Sequence, residues 1–208
     1  PLYSSAASDV YKRQFYAITT GKMKWQGEWA YVNIVQEVTE ARVKEEQLRA
    51  EAYQDMLTRI GNRFYLKEKA EEILKTGEPV SVCYCDLDHL KYINDTYGHE
   101  YGDFAIVSIA KAMLKYCAAD AIAAQTGGDE FIVLEGAKDE MTGRLLAQKI
   151  RAELSEVQEK MQLPFQLSAS IGAVVAQPGE EDVLGSYIKQ AEKLMYEEKA
   201  EKKVSRDN

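Results

Sequence analysis

Long apolar runs and an excess of basic residues are both missing from this chain, and each absence removes a class of function. No apolar stretch approaches the roughly 20 residues that span a bilayer, and no signal peptide is visible. We therefore expect a cytoplasmic protein with no membrane segment in this chain, while a membrane anchor in a longer parent protein stays open. Acidic residues outnumber basic ones by 34 to 26. We expect no nucleic-acid polymer as a partner, because such polymers bind basic surfaces.

Cysteine is also scarce, with only Cys83, Cys85 and Cys117 present. An odd number of cysteines within apolar stretches favours reduced thiols in a protein core. A thiolate metal site is the alternative, but Cys-x-Cys without a second pair disfavours it. The 208 residues, 46% of them hydrophobic, suffice for one sizeable core plus appendages.

The N-terminal quarter of the chain divides into three segments. Residues 1–14 show no period, and we expect a disordered tail that resembles translated non-native sequence. Residues 15–38 predict two strands and a turn, and they resemble the last strands of a PAS sensor domain. Two strands are too few for independent stability, so the rest of such a sensor would be missing. Residues 39–54 predict a charged helix, either a solvated linker or a short coiled coil that pairs two chains.

Residues 55–204 predict one domain, followed by a short tail at 205–208. Apolar spacing indicates, in order, a helix, a strand, two helices, a hairpin, a helix, a strand and a helix. The predicted ranges are a helix after Asn62, a strand at 79–86, helices at 90–97 and about 102–117, hairpin arms at 121–126 and 131–134, a helix through 147–161, a strand at 165–175 and a helix from 183. This order predicts an α+β sandwich in which helices flank a central, mainly antiparallel sheet.

The tip of the predicted hairpin carries Gly127 and Gly128, followed by Asp129 and Glu130. We expect the glycines to take positive φ angles at little cost. A tight turn does not need two consecutive acids, and acids beside a bare backbone suit a hard cation such as Mg²⁺. The alternative is an ordinary turn whose acids are solvated.

A second acidic group, Asp86 and Asp88, follows the buried strand. Asp86 falls where the strand ends, so it could lie across from Asp129 and hold one or two Mg²⁺ ions with it. We expect Asp88 instead to cap the next helix. Capping by both residues is the alternative to a metal site.

Asn94 and Asp103 predict a purine-binding site. A carboxylate can accept hydrogen bonds from N1–H and the N2 amino group of guanine, and an amide can both donate and accept at that edge. Adenine lacks this donor pair. The alternative is turn and cap chemistry, which Asn, Asp and Gly favour anyway.

Lys199 and Lys203 lie four residues apart in the last predicted helix, so they share one face. Met195 precedes Lys199 by four residues, and the basic pair thus extends the buried stripe outward to where a triphosphate could lie. A frayed, solvated helix end is the alternative.

Together these motifs resemble the GGDEF-domain diguanylate cyclases over residues 55–203. The pieces appear in the family's order. They are Asp-x-Leu-Thr from Asp55 with Asn62-Arg63, Asp-Leu-Asp-x-Leu-Lys from Asp86, Asn-Asp-Thr-Tyr-Gly-His-x-x-Gly-Asp from Asn94, Gly-Gly-Asp-Glu-Phe from Gly127 and Ser-Ala-Ser-Ile-Gly from Ser168.

The resemblance implies a fold like that of nucleotidyl cyclases and polymerase palms, and condensation of two GTP into cyclic di-GMP by two copies of the chain. It implies Mg²⁺ or Mn²⁺ as cofactor. The implied metal ligands are Asp86, the Leu87 carbonyl, Asp129 and Glu130, and Glu130 is also implied in deprotonation of the 3′-hydroxyl. The implied GTP-binding residues are Asn94, Asp103, Lys91, Lys199 and Lys203, with Gly127 and Gly128 letting the backbone approach the phosphates.

The chain departs from the family pattern at several positions. Ala118 and Ala121 replace both charged anchors of an Arg-x-x-Asp product site, so we expect no allosteric product site. Gln125 replaces an arginine and Arg59 a glycine, while Lys202-Lys203-Val204 replaces Gly-Arg-Asn. These changes keep open a second function, that of a catalytically weak or inactive GTP-binding regulatory domain.

Overall fold

The computed structural model describes residues 14–177 and 183–204, and the chain divides into two compact units between residues 50 and 51. The predicted tails, residues 1–14 and 205–208, lie outside the described residues apart from Gln14. The first unit contains an antiparallel hairpin of strands β1 (Tyr16–Trp25) and β2 (Glu28–Glu37), which confirms the two predicted strands. Gln26 and Gly27 form its turn, both with positive φ.

Helix α1 (Thr39–Tyr53) follows the hairpin and spans the boundary of the two units. It buries no residue, as the charged pattern of this segment predicts. No described helix is both long and apolar enough to cross a membrane.

The second unit is a four-stranded sheet with helices on both faces. Its strands pair in the order β4-β5-β3-β6, and every pair is antiparallel. Its elements are α2 (Arg63–Leu74), β3 (Val80–Leu87), α3 (Leu90–Tyr97), α4 (His99–Tyr116), β4 (Ile122–Gln125), β5 (Glu130–Gly136), α5 (Met141–Met161), β6 (Ala169–Ala176) and α6 (Val183–Val204).

Alternate residues of the central strand supply two separate cores. Cys83, Cys85 and Leu87 are fully buried and face α3, α4 and α5. Val82 and Tyr84 face α2 and α6 on the opposite side. The period of two along a strand thus places Asp86 on the α6 face of the sheet.

Two predicted boundaries were wrong. Helix α4 begins at His99 rather than near residue 102, because Gly98, with φ +94°, turns the chain within one residue. Strand β6 begins at Ala169 rather than Phe165, because the preceding segment bonds elsewhere. The Tyr97 hydroxyl donates to the Pro164 carbonyl at 2.9 Å, and the Leu167 N–H donates to the Gln158 side chain at 2.9 Å.

Gly172 lets α6 lie directly against β6. A Cβ at this position would lie 2.0 Å from the Ala191 carbonyl oxygen and 2.5 Å from the Met195 amide nitrogen. Met195 itself is fully buried. This close approach brings the C-terminal half of α6, with its lysines, over the end of β3.

Candidate active site

The two acidic motifs meet where β3 and β5 pair. Asp86 lies opposite Glu130 in the ladder, and the Leu87 N–H donates to the Asp129 carbonyl at 2.9 Å. Antiparallel pairing therefore brings Asp86 beside residues that lie more than 40 positions away in the sequence. The structure thus places Asp86 and Asp129 together, as the sequence predicts.

Asp86 is 5% exposed, and Nζ of Lys199 donates to its Oδ1 at 2.5 Å. Burial raises the pKa of Asp86, with Asp129 and Asp88 adding to the effect and Lys199 opposing it. For Lys199, burial alone would lower the pKa, but Asp86, Asp129 and Asp88 together raise it. The two upward shifts thus have different main causes, which are burial for Asp86 and the neighbouring acids for Lys199. The three acids therefore favour a positively charged group in this pocket.

Asp88 does not cap α3 as predicted. The cap position belongs to His89, which has φ +61° and makes no side-chain capping bond. Asp88 is 3% exposed and accepts from the Ser170 hydroxyl at 2.7 Å, the Ser168 hydroxyl at 2.8 Å and Lys202 Nζ at 3.1 Å. Burial tends to raise its pKa, but these bonds outweigh burial and lower it. Three donors, two from the start of β6 and the residue before it and one from α6, satisfy the carboxylate better than the helix end would.

Lys202 is a residue of the site that sequence reasoning missed. Its ammonium contacts Asp88, the Ala169 carbonyl at 2.8 Å and Glu198 at 2.8 Å. Its spacing from Lys199 was the available signal, because residues three apart share a helical face. Lys199 thus contacts Asp86, and Lys202 contacts Asp88.

Glu130 folds back over the glycine turn. A Cβ at residue 127 would lie 2.6 Å from Oε2 of Glu130, whereas one at Gly128 would meet nothing within 4 Å. Neither glycine has a positive φ, so that prediction was wrong. A side chain at residue 127 would therefore displace the Glu130 carboxylate, whereas the backbone conformation there does not call for glycine. Burial, then the charge of Glu130 and a hydrogen bond to it, raises the pKa of Tyr84.

The residues present fit a divalent cation in part. Asp86 and Asp129 supply converging negative charge, which matches the preference of Mg²⁺ for one or two protein carboxylates. Within residues 14–177 and 183–204, however, no three His, Cys, Asp or Glu side chains gather into a metal-binding group. The predicted ligand role of Glu130 therefore stays a prediction.

The predicted purine-binding residues lie on two neighbouring helices. Asn94 of α3 lies against Gly102 of α4, where a Cβ would approach its Oδ1 to 1.9 Å. Asp103 follows Gly102 and is exposed, as is Lys91 in the first turn of α3. Lys203 is also exposed, at the end of α6. Their roles in binding GTP remain predictions.

Gln125 is linked to Asp55 without an ion pair. The Thr58 hydroxyl contacts both Asp55 Oδ1 at 2.9 Å and Gln125 Oε1 at 3.0 Å. The Gln125 amide donates to the Gly128 carbonyl at 3.0 Å, which fixes its orientation. The start of the domain is therefore hydrogen-bonded to the glycine turn through neutral groups.

The chain is similar in sequence to several proteins of cyclic di-GMP signalling. Residues 52–205 match the family model of the diguanylate cyclase, GGDEF domain. The diguanylate cyclase VdcA of Vibrio cholerae is 31% identical over 166 residues, which cover 76% of this chain and 48% of that protein. The bifunctional diguanylate cyclase/cyclic di-GMP phosphodiesterase MucR of Pseudomonas aeruginosa is 30% identical over 152 residues, covering 71% and 22%. The chain thus spans less than half the length of these relatives.

Solved structures share the fold. The coiled coil and GGDEF domain of DgcB from Caulobacter crescentus, in complex with c-di-GMP, superposes with a TM-score of 0.64 at 26% identity, covering 78% of this chain and 88% of that one. Diguanylate cyclase SiaD of Pseudomonas aeruginosa, bound to its activator SiaC, gives a TM-score of 0.65 at 22% identity, covering 78% and 64%. The palm-like α+β fold with a central antiparallel sheet is confirmed.

Proposed function

Because this chain belongs to the GGDEF diguanylate cyclase family, we propose that it condenses two GTP molecules into cyclic di-GMP and two pyrophosphates. The observation that supports this most directly is the meeting of Asp86 and Asp129 under Lys199 at the end of β3. A nucleotide triphosphate brings both a divalent cation and an anionic tail. Such a ligand offers partners to the acids and to the lysine alike.

Asp86, Asp129 and the Leu87 carbonyl would hold the cation, with Glu130 as a further candidate. When bound, Mg²⁺ or Mn²⁺ supplies neutralisation of phosphate charge and acidifies a coordinated hydroxyl. Lys199 and Lys203 would contact the phosphates, with Lys91 nearby. Asn94 and Asp103 would select guanine by its N1–H and N2 donors.

In the proposed reaction, each 3′-oxygen bonds to the α-phosphorus of the other GTP, and the bond to the pyrophosphate oxygen breaks. The hydroxyl proton passes to a base, for which Glu130 is our candidate because it lies beside the glycine turn. One domain holds one GTP, so the reaction needs a second copy of this chain across a two-fold axis. We propose that α1 pairs the two copies and raises their effective concentration.

We further propose that residues 15–38 are the remnant of a PAS-like sensor and that the chain acts in the cytoplasm. Every residue of the β1–β2 hairpin except Ala30 is exposed, a state that fits strands which have lost their neighbours.

A GTP-binding regulatory domain without turnover is the second candidate. It is favoured by the orientation of Glu130, whose carboxylate lies over Gly127. One experiment separates the two functions. Purified protein is incubated with GTP and Mg²⁺, and cyclic di-GMP is measured by chromatography beside Asp129→Asn. Product from the wild type alone supports the cyclase, whereas GTP binding without product at high protein concentration selects the regulatory domain.

A further inference from the structure

The ammonium of Lys199 takes the place of a bound cation in the acidic pocket. Its Nζ lies 2.5 Å from Oδ1 of Asp86, whose side chain is only 6% exposed. Asp129 lies beside this pair, because the Leu87 N–H donates to the Asp129 carbonyl at 2.9 Å. The Lys199 ammonium is thus already paired with the carboxylate that a divalent cation would need.

The Lys199 ammonium has a second anionic partner besides Asp86. Under the proposed function, Lys199 contacts the phosphates of GTP, and it cannot hold Asp86 and a phosphate equally well at once. Its side chain is 37% exposed, so it can rotate toward solvent. Helix α6 itself is held against β6 at Gly172, and Lys202 anchors it to Asp88. A change of partner therefore needs rotation of one side chain and no movement of the helix.

We propose that Lys199 and Asp86 exchange partners when substrate binds, Lys199 taking a phosphate and Asp86 taking the cation that the nucleotide carries. This inference rests on the proposed function and concerns the order in which the site assembles. Before GTP arrives, the pair neutralises itself and excludes free divalent cations. A metal–nucleotide complex supplies a new partner to each member. Metal and nucleotide consequently bind synergistically, each tightening the other by the same factor.

Binding of Mn²⁺ without nucleotide tests this exchange, with free Mn²⁺ measured by electron paramagnetic resonance. Lys199→Met removes the ammonium and keeps the apolar stem. We expect it to bind Mn²⁺ about fivefold more tightly than the wild type, which is the upper end of what a partly exposed ion pair contributes. With a saturating non-hydrolysable GTP analogue, the difference in Mn²⁺ affinity should largely disappear, because Lys199 of the wild type then contacts phosphate and no longer competes for Asp86.

Lys193→Met is the matched control. It removes the same charge from the same helix, but the Lys193 side chain is 78% exposed and its Nζ lies 3.7 Å from Oε1 of Glu197. It should bind Mn²⁺ as the wild type does. Lys199→Gln keeps a hydrogen-bond donor for Asp86 and provides a second test if the methionine variant misfolds. It should also bind Mn²⁺ more tightly than the wild type.

Equal Mn²⁺ affinity in nucleotide-free wild type and both Lys199 variants overturns the exchange. An equal gain in Lys193→Met also overturns it, since net charge would then explain the effect. Failure of the proposed function looks different, because the wild type would then form no cyclic di-GMP from GTP and Mg²⁺, whether or not it binds the GTP analogue.

Discussion

Lys202 and Asp88 form an ion pair that joins the last turns of α6 to the end of β3, with Nζ 3.1 Å from Oδ2. The carboxylate is 3% exposed and also accepts from Ser168 and Ser170. Its oxygens are therefore occupied by protein donors, which leaves Asp86 as the acid of this motif that can turn to a ligand. The pair anchors the helix whose neighbouring lysine contacts Asp86.

This arrangement predicts acid-sensitive stability. Because the folded-state pKa of Asp88 lies below its ordinary value of 3.8, its contribution is present above that pH and is lost as pH falls through the folded-state pKa. Asp88→Asn should cost about 1–3 kcal/mol in unfolding free energy at pH 7. The difference in unfolding free energy between this variant and the wild type should become smaller below about pH 4, as measured by urea titrations. Asp120→Asn, which changes an exposed acid, is the control and should have the same unfolding free energy as the wild type. A loss of unfolding free energy in Asp88→Asn that does not change with pH would contradict the prediction.

Gly102 should control recognition of guanine. An alanine there would place a methyl group 1.9 Å from Oδ1 of Asn94 and so displace the amide. We expect Gly102→Ala to weaken GTP binding by roughly tenfold, the equivalent of about one good hydrogen bond, and to reduce discrimination against ATP. Fluorescent nucleotide titrations measure both effects. Gly185→Ala is the control, because its Cβ would meet nothing within 4 Å, and equal binding by the two variants would remove Asn94 from the site.

Arg59 should be a source of backbone strain. It has φ +63°, and its guanidinium lies 3.9 Å from the Met56 sulfur. Left-handed backbone costs a residue with a Cβ about 1–2 kcal/mol, partly offset by the freedom that glycine gains when unfolded. Arg59→Gly should therefore stabilise the domain by about 0.5–1 kcal/mol and raise Tm by roughly 1–4 °C. Arg59→Ala keeps the strain, and a matching gain there would refute this explanation.

Product should not inhibit through the position of the Arg-x-x-Asp motif. Ala118 and Ala121 provide no charge, and the Ala118 N–H is taken by Glu135 Oε2 at 2.9 Å. We expect added cyclic di-GMP to leave the initial rate unchanged and calorimetry to detect no tight binding. The double variant Ala118→Arg with Ala121→Asp supplies both anchors and should gain product binding. Tight binding by the wild type would show that another surface recognises the product.

Local sequence patterns predicted the elements well, because β3 and α3 carry their own apolar periods and Asn62 caps α2 with two hydrogen bonds. The meeting of Asp86 and Asp129 also followed from the motifs. The partners of Asp88 did not, since Ser168 precedes β6, Ser170 lies in it and Lys202 lies in α6, and pairing between distant elements leaves no local signal. The close approach of Glu130 to Gly127 was not predictable either, because it depends on the rotamer of the Glu130 side chain.

Strand β3 is hydrogen-bonded along both sides, to β5 and to β6, in ladders that both include Asp86. A slip of one residue in either ladder would carry this carboxylate through to the opposite side of the sheet. The Asp86 N–H bonds to one of these neighbours, and ladders of a central strand are among the last parts of a domain to open, so we expect slow amide exchange at Asp86. Substitutions in the loops and helix ends around Asp86 could therefore change its surroundings while the two ladders keep its backbone in place.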